Sequence, residues 1–193
     1  MSDIVKNIRC AYCKADMCTE DIEKTPEFCP RRIAGDALKD TGKIYAEPEI
    51  KKISDVAAAV EDEGYKKWQR VKELVEFSKR MDYKRLGIAF CIGLIEETRG
   101  LCRILESHGF IVDSVCCTVE GGCNPVGQAK VLNHVNTDLN IIMGLCIGHD
   151  ILFSKYSEAP VTTLVVKDRV TCHNPAAPLT NRYWRDTYIK QQE

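Results

Sequence analysis

Between Leu86 and Val166 the chain switches repeatedly between strand-like and helix-like patterns, and this alternation constrains the fold more than any other feature. Leu86 to Cys91 reads as a buried strand, and Leu94 to His108 as a helix closed by Gly109. Phe110 to Cys117 is a second strand, followed by a helix from Asn124 to Val135 with Pro125 in its first turn. Leu139 to Cys146 is a third strand, a short helix lies near Asp150–Tyr156, and Val161 to Val166, rich in β-branched residues, is a fourth strand. Strands joined through helices pair in parallel, by right-handed crossovers. The predicted fold class is α/β: a small doubly wound, mainly parallel sheet with flanking helices. A short internal repeat agrees with this. Ala89-Phe90-Cys91-Ile92-Gly93 resembles Gly144-Leu145-Cys146-Ile147-Gly148, and each copy stands where a strand gives way to a helix.

The remainder is less regular. Ile53, Val56, Ala57 and Val60 form one helical stripe and Val71, Leu74, Val75 and Ser78 another, with Gly64 between them. Residues 31–48 contain Gly35, Gly42 and Pro48 and read as a connector with at most a short helix. The tail from His173, with Pro175 and Pro178, reads mostly as loop. The predicted division is a cysteine-rich metal-binding segment with its connector over residues 1–48 and an α/β domain over 49–193.

A formal net charge of −1 gives no electrostatic ground for nucleic-acid or membrane-surface binding. No run of about 18 apolar residues is present to span a membrane. The first nine residues lack the apolar run of a signal peptide. The expected setting is therefore the cytoplasm. In that reducing environment the eleven cysteines are expected to be metal ligands, reactive thiols or small buried residues rather than disulfides.

Cys10, Cys13, Cys18 and Cys29 follow a C-x2-C-x4-C-x10-C spacing. The close pair can put two sulfurs on one metal, and the later two can complete a four-thiolate site. Such a site would order a segment too short and polar to bury a core of its own. Tetrahedral zinc is one occupant. An iron–sulfur cluster, of the 4Fe-4S type, is the other, and Cys29-Pro30 resembles the Cys-Pro that ends ferredoxin cluster runs.

A second group of cysteines falls at the strand ends. In open α/β sheets, ligands bind outside the carboxyl ends of the strands, where strand order reverses. A strand order of 2-1-3-4 places Cys91 and Cys146 face to face across that crevice as ligands or nucleophiles, with His149 as proton donor or ligand. Cys117, Cys123, Asn124, Asp150, Lys167, Asp168, Arg169 and His173 are the candidate ligand-binding residues, with Lys167 and Arg169 suited to an anionic group. Cys116 and Cys117 point to opposite sheet faces, so at most one serves the crevice. Cys102 reads as structural, on an apolar helix face with Leu94, Leu101 and Leu105.

Several segments resemble the motifs of one family: Phe90 to Leu94, Cys123-Asn124-Pro125 with Gln128-Ala129, Leu132-Asn133, Thr137 to Asn140, Gly144 to Asp150, Ala159 to Thr162, Lys167-Asp168-Arg169, and His173-Asn174-Pro175. With the leading cysteines, they are similar to the cysteine-rich proteins grouped as domain of unknown function 1847, over about residues 10 to 180. The resemblance implies metal binding and gives weight to Cys91, Cys123, Cys146, His149, Asp150, Lys167, Asp168, Arg169 and His173. It implies no substrate, and Cys172 takes no role from it.

Three functions follow. The first is an iron–sulfur protein whose crevice performs redox or sulfur chemistry on a small or anionic molecule, with a possible redox partner protein. The second is a non-catalytic small-ligand module folded by structural zinc. The third is a thiol hydrolase or transferase with Cys146 as nucleophile and His149 as base.

Overall fold

The computed structural model describes residues 7–14 and 17–190. These fall into two compact units, divided between Asp55 and Val56 within a helix. Among the described residues no helix is long and apolar enough to cross a membrane.

The amino-terminal unit begins with single 3-10 turns at Cys10–Tyr12, Met17–Thr19 and Ile22–Lys24. Short helices follow: α1 (Pro30–Ile33), α2 (Gly35–Leu38) and α3 (Thr41–Tyr45), then the long α4 (Pro48–Gly64). The expected connector with at most one short helix is thus three short helices. Ala34 (φ −131°) leaves the helical region between the first two, and Asp40 (φ +67°) separates the next two. Among the described residues from 7 to 50, only Thr25 and Cys29 are buried.

In the second unit, α5 (Arg70–Arg80) precedes β1 (Arg85–Phe90), α6 (Ile95–Ser107), β2 (Ile111–Cys116), α7 (Pro125–His134), β3 (Leu139–Met143), α8 (Ile147–Tyr156) and β4 (Val161–Val165). The four strands are parallel, in the order β2-β1-β3-β4. The chain steps from β1 to β2 on one side and from β3 to β4 on the other, so strand order reverses between β1 and β3.

The pleat sends alternate residues to opposite faces. Leu86, Ile88, Phe90, Leu139, Ile141 and Met143 pack with Leu74 and Val75 of α5 and Leu101 and Leu105 of α6. Ala89, Cys91, Val115, Cys117 and Ile142 pack with Ala129 and Leu132 of α7 and Phe153 of α8. Two cores, one on each face, make the sheet doubly wound.

The third strand stops at Met143, shorter than the run to Cys146 that the sequence predicts. Gly144 adopts φ +65°, and a Cβ there would lie 2.0 Å from Leu94 Cδ1. Leu145 and Cys146 therefore turn into α8, which starts at Ile147 with Cys146 as its N-cap. Gly144→Ala combines a left-handed residue with overpacking and is expected to cost roughly 2–4 kcal/mol. A urea midpoint within error of the wild type would contradict this.

The tail also differs from expectation. It forms α9 (Ala177–Thr180) and α10 (Arg182–Lys190) rather than mostly loop. Pro178 lies in the first turn of α9, where a missing N–H is no loss. Asn181 Oδ1 accepts the Trp184 N–H at 3.3 Å at the start of α10.

Candidate functional site

The strand ladder carries side chains into one crevice. The Cys91 N–H donates to Met143 O at 3.1 Å, the Cys117 N–H to Phe90 O at 2.8 Å, and the Gly144 N–H to Val165 O at 2.8 Å. These bonds continue the sheet one step past its strands, fixing Cys91 at the reversal point and Cys117 on the β2 side of it. Gln128 of α7 reinforces the floor. Its Nε2 donates to Val115 O at 2.6 Å and to Phe90 O at 3.2 Å, holding the ends of β1 and β2 together.

Lys167, two residues past β4, extends its ammonium into this crevice. Nζ stands 2.7 Å from Cys91 Sγ and 3.4 Å from Cys146 Sγ. Cys91 is only 5% exposed. Burial pushes its thiol up, but the bond to Lys167, the Gly93 N–H and the Cys117 thiol together bring it below the ordinary value. Lys167 responds reciprocally: burial lowers it, while Cys91 and Cys146 raise it further. Lys167 thus faces both sulfurs in a partly desolvated cleft, and the contact favours the charged forms of Cys91 and Lys167.

Cys117 has the opposite character. Burial pushes it up to about 11, against the 3.5 Å bond its sulfur accepts from the Ile92 N–H. Cys123, exposed in the following loop, places its sulfur 4.0 Å from Cys117 Sγ. Burial also raises the Asp150 carboxyl, with Lys167 and His149 holding it back. One of its oxygens, Oδ1, is buried without a hydrogen-bond partner.

His149 is half-buried on the first turn of α8, and among the described residues no hydrogen bond joins its ring to Cys146. The Cys146 sulfur lies 3.4 Å from the Lys167 ammonium.

Residues 168–173 form a tight loop beside the crevice lysine. Asp168 Oδ1 accepts the Val170 and Thr171 N–H groups at 3.0 and 3.1 Å, and the Asp168 N–H donates to His173 Nδ1 at 3.1 Å. His173 holds a left-handed conformation (φ +63°). Thr171 and then Val170 hold the Asp168 carboxyl below its usual range. That carboxylate therefore stabilises the loop above the unfolded value of about 4 and ceases to do so as pH falls through the folded pKa. Asp168→Ala is expected to speed amide exchange at Val170 and Thr171 at pH 7, with little difference from the wild type at pH 2; equal exchange at pH 7 would count against it.

Other side chains near the strand ends have partners of their own. Asn124 Oδ1 accepts the Gly127 N–H at 2.7 Å, capping α7, and its Nδ2 bonds Glu120. Arg169 is exposed. Cys102, beside Ser114, is raised chiefly by burial, as befits a structural thiol. Cys116 Sγ lies 3.3 Å from Thr118 Oγ1.

The four leading cysteines, with Phe28, Pro30 and Arg31, line one cavity of about 30 Å³. Arg31 ties the segment together through Nη1 bonds to Cys18 O at 3.0 Å and Glu20 O at 2.9 Å. Burial raises the Cys29 thiol, but the N–H groups of Arg31 and Arg32, the Thr25 hydroxyl and the Arg31 charge bring it below the ordinary value. Four thiols around one cavity are a donor set suited to zinc or to an iron–sulfur cluster. Among the described residues, no three His, Cys, Asp or Glu side chains converge closely enough to hold a metal ion as placed.

A family model described as protein of unknown function (DUF1847) matches residues 29–121 and 118–164. The chain belongs to the DUF1847 family. An uncharacterized protein of Methanocaldococcus jannaschii is 43% identical over 195 residues, covering 92% of this chain and 96% of the relative. No solved structure matches the chain significantly. The DUF1847 match takes in Cys29, Cys91, Cys117, Cys123 and Cys146 and stops short of Lys167. Some of the motifs that first suggested DUF1847 turn out to be scaffold. Asn133 bonds Tyr156 O at 2.9 Å and the Glu158 N–H at 3.0 Å, and Asp138 accepts the N–H groups of Lys84 and Arg85 at 2.7 and 2.8 Å. Asn140 joins Thr137 to Ser157 with bonds of 2.8 Å. All of these lie at the amino ends of the strands, away from the crevice.

Proposed function

We propose that this DUF1847 protein is a metal-binding protein that performs sulfur or redox chemistry on a small anionic molecule. The observation that carries the reading is the Lys167 ammonium between Cys91 and Cys146 at the point where strand order reverses. A buried thiolate is a nucleophile at neutral pH, and the lysine beside it attracts an anion. Asp150, which feels the charges of both Lys167 and His149, and His149 itself are the groups to move a proton there.

The leading cysteines hold the metal, an iron–sulfur cluster with zinc as the alternative. Cys10, Cys13, Cys18 and Cys29 would be its ligands, and a cluster would supply electrons to a redox partner. Burial of only Thr25 and Cys29 in the described residues from 7 to 50 supports a metal, because so little buried surface cannot offset the entropy of ordering the segment.

Metal and acid-labile sulfide analysis of protein purified without oxygen, with a visible spectrum, tests the metal assignment. Brown protein with about four irons and four sulfides supports the cluster. Colourless protein with one zinc replaces it with a structural ion. Metal-free, folded protein removes the metal from the account.

A further inference from the structure

Cys117, which borders Cys91, has a second thiol neighbour in Cys123. The sulfurs of Cys117 and Cys123 are 4.0 Å apart, about 2 Å longer than a disulfide bond. Cys117 is 2% exposed, while Cys123 is open to solvent. The loop between them is already drawn closed, because the Asn124 N–H donates to Cys117 O at 2.7 Å and the Gly121 N–H to Thr118 O at 3.0 Å. It is also free to adjust. Gly121 adopts φ +87°, and neither it nor Gly122 has neighbours within 4 Å of where a Cβ would stand. A metal at this pair would need further donors, and among the described residues no third ligand is close enough.

We propose that Cys117 and Cys123 are a reversible dithiol–disulfide couple that reduces an external low-molecular-weight disulfide. The inference deepens the reading of the crevice as a site of sulfur chemistry and rests on it. The exposed Cys123 thiolate attacks one sulfur of the external disulfide, forming a mixed disulfide and releasing one thiolate that takes up a proton. Cys117 then loses its proton and attacks Cys123 Sγ, closing the internal disulfide and expelling the second thiolate. One external disulfide is reduced to two thiols, and the two protein thiols are oxidised to one disulfide. Cys91, which contacts the Cys117 thiol in the reduced state, stands beside this pair.

The test uses the full chain, purified reduced and without oxygen, carrying Cys116→Ser so that the neighbouring thiol does not confuse the mapping. It is incubated with excess 2-hydroxyethyl disulfide, alkylated and digested with trypsin, which releases residues 104–130 as one peptide. The expected peptide carries an internal disulfide, takes no alkyl label, and regains both labels after dithiothreitol. Adding Cys123→Ser, a change at an exposed site, is expected to abolish closure completely. A peptide labelled at both cysteines, or one that stops at the mixed disulfide on Cys123, overturns the proposal. The pH profile of Cys91 alkylation is measured on the same protein. An acidic Cys91 without closure leaves the crevice reading standing and removes the couple; closure with an ordinary Cys91 does the reverse.

Discussion

Cys29→Ser is expected to abolish metal binding and to unfold the amino-terminal unit, while the α/β unit keeps its fold. Cys29 is the one buried thiol of the four leading cysteines, and its sulfur accepts from the N–H groups of Arg31 and Arg32 at the start of α1. Little else orders this unit. Its side-chain bonds are mostly surface contacts such as Lys24 to Glu20 at 3.3 Å, and an exposed pair of that kind contributes at most about 1 kcal/mol. A four-thiolate metal site, in contrast, contributes about 10–16 kcal/mol in small metal-folded domains. Loss of one ligand should therefore drop metal content to background and leave amides around residues 18–34 exchanging without protection. The amides of β1 and β3 should stay protected, because they lie between two packed cores of their own. Full metal content in the variant would contradict the assignment, as would unchanged protection around α1.

Lys167→Met is expected to slow alkylation of Cys91 at pH 7 by about 10- to 100-fold, the equivalent of losing one charge-assisted hydrogen bond of roughly 1.5–3 kcal/mol. Methionine keeps an unbranched stem beside Gly144, while the charge is lost. Burial, which already pushes the thiol up, is then opposed only by the Gly93 N–H and the Cys117 thiol. The same pairing makes a pH-dependent contribution to stability. A thiol whose folded pKa lies below its unfolded value stabilises the fold above that unfolded value, about 8.5, and loses this contribution as pH falls through the folded pKa. The stability gap between wild type and Lys167→Met should accordingly widen from pH 6 to pH 9. Lys167→Arg keeps a cation and should recover part of the reactivity. An unchanged alkylation rate in Lys167→Met would remove the lysine from the chemistry.

Most of the α/β architecture was legible in the chain because period-2 and period-3.6 patterns report burial directly, and in a parallel sheet both faces are buried. Alternation of Leu86, Ile88 and Phe90 with Ala89 and Cys91 carries the two cores, and the repeat around Cys91 and Cys146 points to the crevice. What the pattern could not convey was local backbone geometry. Gly144 ends β3 early through a positive φ that also makes room for Leu94, and nothing in hydrophobic spacing signals it. The helical tail was obscured by prolines that, in the first turn, start a helix rather than break it. At the site, the cysteines and Lys167 could be proposed from their positions after strands. Their division of labour could not, because it depends on which thiol the ammonium reaches. Asn124 shows the limit from the other side: it lies beside the crevice cysteines in sequence, yet its side chain is engaged as a helix cap.

The most direct test of the central claim is the pH dependence of Cys91 alkylation in the otherwise unmodified protein, followed by mass spectrometry of its peptide, with Cys91→Ser as the blank. The ammonium–thiolate pair requires a midpoint clearly below the ordinary thiol value of about 8.5. A midpoint at or above that value would mean that Lys167 does not hold Cys91 as a thiolate, and the proposed crevice chemistry would fall with it.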